Sequence, residues 1–96
     1  MEIAGFKVRR AGWGKRSRDT IALIKSLGQI EDTFSEEAID AITRIVSGIL
    51  DIDSETARKL VDDEVINVGN LDQMIAYFLG GYKQEGPLGQ TSQTTQ

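Results

Sequence analysis

The sequence predicts an all-α fold: a small bundle of about four helices with a short extended N-terminal arm and a disordered C-terminal tail. Three observations carry this expectation. Apolar residues recur at helical spacing through the middle of the chain, cap signals stand where those stretches begin, and positions 84–96 are almost wholly polar. At 96 residues the chain makes one domain, and a domain of that size buries only about 60–70% of the surface its unfolded chain exposes. The expected division is a basic extended arm at 1–16, a helical domain at 17–83 and a disordered polar tail at 84–96.

Phe6-Lys7-Val8-Arg9 alternates apolar and basic side chains, as a short strand or extended arm does. Gly12-Trp13-Gly14 then interrupts regular structure around one large ring. Trp13 is expected to pin the arm to the core; an exposed ring would instead mark a partner contact. From Ser17 or Arg18 onward, Ile21, Leu23, Ile24, Leu27 and Ile30 cover about half of a helical circumference. So wide a stripe makes this first helix either central or a binder, and Gly28 ends it.

The second helix begins near Ser35. Thr33-Phe34-Ser35-Glu36 offers a capping box, and Ser35 an alternative cap with Glu36 and Glu37 in the first turn. Ala38, Ile39, Ile42, Ile45, Val46, Ile49 and Leu50 fall within about 140° of arc, with Asp40, Thr43, Arg44 and Ser47 opposite. A third, shorter helix starts at Asp53 or Ser54, buries Ala57, Leu60 and Val61, and fails at Asp62-Asp63-Glu64. Val65-Ile66-Asn67-Val68 reads as an extended link. A last helix then opens near Leu71 with Asn70 as cap, aligns Leu71, Met74, Ile75, Phe78, Leu79 and Tyr82, and stops at Gly80-Gly81.

The net charge of −4 conceals an asymmetry. Lys7, Arg9, Arg10, Lys15, Arg16 and Arg18 face only Glu2 in the first eighteen positions, a net of +5, whereas the rest of the chain carries five basic and fourteen acidic residues, a net of −9. Such a basic arm can meet the acidic face of its own domain, an acidic partner or nucleic acid. With Phe6 and Trp13 interleaved it could grip phosphates and stack on bases. The acidic remainder would repel the same polyanion, and no helix collects basic residues on one face.

Catalytic equipment is scarce. With no His and no Cys, the chain has no imidazole base, no thiol nucleophile, no disulfide and no thiolate metal site. Asp51, Asp53, Glu55 and Asp62 occupy positions 1, 3, 5 and 12 of a calcium-loop window, but Thr56 stands where the turn needs Gly and Asp62 where the bidentate Glu belongs. Helix-start carboxylates account for the same residues. Gly14-Lys15-Arg16-Ser17 lacks the spacing of a phosphate loop, and nothing in the sequence near the paired carboxylates Glu36-Glu37 and Asp62-Asp63 suggests an apolar pocket that would separate their pKa values. The expectation is no catalytic residue, no metal and no cofactor. No signal peptide or membrane span is evident, which suits a cytoplasmic protein.

The arm Phe6-Lys7-Val8-Arg9 with Trp13-Gly14, an acidic central helix pair, the stretch from Val65 to Gly80 (VINVGNLDQMIAYFLG) and a polar tail together resemble tail assembly chaperones of long-tailed bacteriophages. The likeness runs over residues 5–83. It implies a mostly helical, non-enzymatic protein of the host bacterial cytoplasm that binds the tape-measure protein and recruits tail-tube subunits. It also implies that a programmed frameshift can append a further domain. On this view the surplus apolar residues Leu23, Leu27, Met74, Phe78 and Tyr82 are the partner-binding candidates, unless they fill the domain's own core or a homo-oligomer interface. Alternative functions are nucleic-acid binding through the basic arm, and a virion connector or head-tail completion protein.

Overall fold

The computed structural model describes residues 1–83, the last three as helical backbone only. In chain order it has a two-stranded hairpin, β1 (Glu2–Ile3) and β2 (Phe6–Lys7), then α1 (Lys15–Leu27), α2 (Glu36–Leu50), α3 (Ser54–Asp62) and α4 (Val68–Lys83). The all-α bundle of four helices is thus the fold of the chain. The expected tail at 84–96 lies outside the described residues.

The arm is more structured than its sequence indicates. Glu2 pairs with Lys7 and Ile3 with Phe6 in antiparallel register. Ala4 and Gly5 turn the chain with φ of 55° and 83°, the two positive values a type I′ hairpin turn requires. Past the hairpin the chain crosses one end of the bundle. The Arg9 N–H donates to the Ile49 carbonyl at 3.2 Å and the Ala11 N–H to that of Phe78 at 3.0 Å, while Arg9 Nε donates to the Gly48 carbonyl at 2.9 Å. The last carbonyls of a helix lack intrahelical partners. Arg9 therefore satisfies two of them on α2 and sets a positive charge at the helix's negative end.

This anchoring removes the need for the Trp13 ring. Ile3, Val8 and Ala11 are the buried contacts of the arm, and Trp13 is 80% exposed. The expectation that it pins the arm is corrected accordingly. α1 also starts at Lys15 rather than at Ser17 or Arg18, so Lys15 and Arg16 belong to its first turn.

The central helix is α2, against which α1, α3 and α4 all pack. Of the two readings of the wide α1 stripe, the central position falls to α2 instead, because small residues widen the buried face of α2. Ala41 and Gly48 are buried beside its apolar stripe, and Thr20 of α1 packs directly against Gly48. Thr43, expected on the polar side, is 6% exposed; its hydroxyl donates to the Ile39 carbonyl at 2.8 Å and so carries no unmet hydrogen bond into the interior. The buried arc from Gly48 to Thr43 spans about 220° instead of about 140°.

Both caps around α2 and α3 follow the sequence. Ser35 Oγ accepts from the Ala38 N–H at 3.2 Å, and the Asp53 carboxylate from the Thr56 N–H at 3.3 Å. The start and end of α4 do not. Asn67, not Asn70, is its cap: Asn67 Oδ1 accepts from the Asn70 N–H at 2.9 Å, and the Asn67 carbonyl from the Leu71 N–H at 2.9 Å. The helix then continues through Gly80 and Gly81 to Lys83. A helical glycine costs about 1 kcal/mol relative to alanine, less than the burial of side chains such as Leu71, Met74 and Phe78 returns.

Candidate functional site

Ile45, Val46 and Ile49 on α2 are completely buried. Ile39 and Ile42 lie on the same stripe one or two turns earlier, yet they are only half-buried. Among the described residues, the bundle covers Ala38 at that end of the stripe but Ile39 and Ile42 only in part. What remains there is a groove of about 410 Å³.

Several elements wall the groove. Leu27 comes from the last turn of α1 and Phe34 from the α1–α2 loop; Val61 closes α3, Ile66 sits in the α3–α4 loop, and Val68 and Leu71 begin α4. The sequence produces this shape through its caps. Phe34 and Ile39 flank the Ser35 cap at the two positions where an apolar pair can staple a helix start, but Phe34 stays 79% exposed, so the pair leaves the groove open. Opposite, Glu64 takes a left-handed φ of 59°, and the N–H groups of Val65 and Ile66 both donate to the Leu60 carbonyl, at 3.0 and 3.1 Å. That tight turn swings Val68 out to 65% exposure.

The charged residues lining the groove are all acidic: Asp62, Glu64 and Asp72. Its polar members are Thr33 and Asn67, and the Asn67 side-chain oxygen is already engaged by the cap. The arrangement offers apolar surface within a negative rim, which suits an amphipathic segment with basic flanks.

Of the partner-binding candidates, Leu27 lines this groove and is half-buried. Leu23 is half-buried against the core outside it. Met74 and Phe78 are fully buried at 0% exposure, a correction, since neither presents a surface to a partner. Tyr82 lies beyond the residues whose side chains are described. The groove residues not legible as a site in the sequence are Phe34, Ile39, Ile42, Val61, Ile66, Val68 and Leu71, which there read as cap context, core or link. One signal was present: an apolar residue directly before a strong N-cap.

The basic residues divide into separate tasks. Arg9 caps α2 and lies 5.5 Å from the centre of the Phe78 ring. Arg10 stacks on Tyr77 at 4.3 Å, Lys15 pairs with Asp19 at 2.8 Å and Arg16 with Asp51 at 2.7 Å. Lys7 and Arg18 are exposed and make no ion pair among the described residues. Much of the arm's charge thus meets its own domain. Exposed pairs of this kind stabilise by about 0–1 kcal/mol.

The calcium-like window is likewise dispersed. Asp51 takes a left-handed φ of 59° at the end of α2 and pairs with Arg16. Hydrogen bonds from the Thr56 hydroxyl and N–H hold the Asp53 carboxyl below the ordinary carboxylate range. Asp62 pairs with Arg58 at 3.0 Å, and Asp40 and Glu36 approach the same guanidinium at 3.6 and 3.8 Å. Among the described residues no three carboxylates converge as metal ligands would, and no helix is long and apolar enough to cross a membrane.

Compared with protein-family models, with curated proteins and with solved structures, the chain finds no match in any of the three.

Proposed function

We propose that the chain is a non-enzymatic binding protein whose groove holds an amphipathic helical segment of a partner, and that its setting is the assembly of a long bacteriophage tail in the host cytoplasm. The client is the tape-measure protein, with tail-tube subunits recruited to the complex. The observation that supports this reading is the groove at the start of the α2 stripe, where the half-buried Ile39 and Ile42 continue a buried row into the groove lining. A long helical client exposes apolar stripes before a tube encloses it, and covering them requires an apolar groove rather than a catalytic cleft. The layout resemblance supplies the identity of the client; the absence of His and Cys supports a role without catalysis.

The test is co-expression with the tape-measure protein of the same genome. The wild-type chain is expected to keep that protein soluble and to co-purify with it. Phe34→Lys and Val68→Lys, both at exposed positions, are expected to abolish the effect while leaving circular dichroism unchanged. Equal solubilisation by the two variants would refute the groove as the client site. Recovery of the chain from purified virions would favour a connector or completion protein instead.

Nucleic-acid binding is supported by a second observation, the exposed Trp13 ring with Arg10, Lys15, Arg16 and Arg18 within five positions of it. It predicts quenching of the single Trp by oligonucleotides, weakening steeply with salt. The ion pairs that engage Lys15 and Arg16 count against it.

A further inference from the structure

The chain carries two complementary surfaces that cannot meet within one molecule. One is the groove, apolar with an acidic rim of Asp62, Glu64 and Asp72. The other is Trp13, the single Trp of the sequence, 80% exposed between Gly12 and Gly14 and surrounded in sequence by basic residues. They stand at opposite ends of α1: Trp13 precedes its first residue Lys15, and Leu27, its last, lines the groove. Thirteen helical residues span about 20 Å at 1.5 Å each, so Trp13 cannot fold back into its own groove.

We propose that Trp13 of one copy seats in the groove of a second copy, so that the free protein associates head to tail and each groove is held by a neighbour until a client displaces it. This rests on the groove being the client site. An indole is a large, flat apolar body of the kind such a groove accepts, and the short Gly12-Trp13-Gly14 loop leaves it projecting. The exposed side chain of Arg18 approaches the acidic rim as the ring enters, so charge fixes the orientation that apolar contact alone would not. The chain's other apolar candidate is a poor occupant: residues 84–96 hold one large apolar side chain, Leu88, and bring Glu85 to an already acidic rim. Because the contact joins two different surfaces, a copy whose Trp13 is seated in a neighbour still offers its own groove to a further copy, and association runs on to short chains or a closed ring.

The full chain tests this directly, since its only Trp is the proposed ligand. Sedimentation velocity over a concentration series is expected to show growth beyond the monomer, accompanied by a blue shift of Trp emission and protection from iodide quenching, both reversed by salt. Trp13→Ala and Phe34→Lys are each expected to be monomeric and folded by circular dichroism. Mixed, they are expected to form a one-to-one dimer that grows no further, because only one productive surface pair survives. A wild-type chain that stays monomeric with solvent-exposed Trp at millimolar concentration overturns the proposal, as does a mixture that fails to dimerise or an emission shift that requires added oligonucleotide. The client reading is separable: if it holds, Trp13→Ala retains client solubilisation while losing self-association; if it fails, neither the wild type nor Trp13→Ala solubilises the client, and the difference between them in sedimentation remains.

Discussion

Replacing Gly48 by Ala is a sharp test of how α1 and α2 are joined. In most helix interiors the change stabilises, by about 1 kcal/mol. Here a Cβ would collide with Thr20 Oγ1 and stand 3.2 and 3.3 Å from Thr20 Cβ and Cγ2. Thr20 cannot readily turn aside: it is 3% exposed, and its hydroxyl donates to the Arg16 carbonyl at 2.9 Å. Relief requires either breaking that bond or parting the helices, and overpacking of this sort costs about 1–3 kcal/mol. Set against the propensity gain, the net loss is about 0–2 kcal/mol. At about 4–8 °C per kcal/mol for a domain of this size, the midpoint falls by up to about 16 °C. Urea unfolding followed by circular dichroism measures the loss, and the double change with Thr20→Ala isolates its cause. Removing Oγ1 and Cγ2 makes room, so in that background Gly48→Ala becomes neutral or slightly stabilising. A stabilising Gly48→Ala in the wild-type background, or an equal cost in both, would refute the close approach as the reason α1 lies where it does.

Three further outcomes follow from single interactions. Ser35→Ala removes the oxygen that accepts from the Ala38 N–H and is expected to cost about 1 kcal/mol in the same unfolding assay, with Ser35→Asp largely retaining stability. Arg9→Met keeps much of the stem but strips two roles, the hydrogen bond to the Gly48 carbonyl and the charge at the end of α2; a loss of about 1–3 kcal/mol is expected, and Arg9→Lys recovers only part of it because an ammonium cannot reproduce the guanidinium's geometry. For Asp53 the folded carboxyl sits below its unfolded value; its contribution is therefore complete above the ordinary carboxylate range and is lost as pH falls through the depressed folded value. Asp53→Asn is expected to flatten that acid limb of the thermal midpoint, and an unchanged limb would remove Asp53 as its source.

The sequence made the starts of α2 and α3 legible because a capping side chain is a local event: Ser35 and Asp53 each need only a backbone N–H three residues on. The same rule misplaced α4. Asn67 and Asn70 are three positions apart and both can cap, and the β-branched residues around Asn67 imitate a strand, so only tertiary burial decides between them. Tertiary decisions also explain the failure over the central helix. Apolar periodicity counts large side chains, whereas Ala41, Thr43 and Gly48 are buried for being small or for satisfying their own hydroxyl. The groove was illegible for a related reason. Ile39, Ile42 and Ile45 look identical in sequence, and only the placement of the neighbouring helices leaves the first two open.

The open groove also bounds how strongly it can hold anything. Complete burial of a large apolar side chain yields about 1.5–3 kcal/mol, so covering the most exposed lining residues, Phe34 and Val68, contributes about 3–6 kcal/mol. Association itself costs about 4–15 kcal/mol. Those two contacts cannot sustain a complex alone; a partner must also cover the half-buried Leu27, Ile39, Ile42 and Val61 and place positive charge near Asp62, Glu64 and Asp72. A single Trp satisfies this in part and a longer amphipathic helix more fully, which is the order of affinities an exchange from neighbour to client requires.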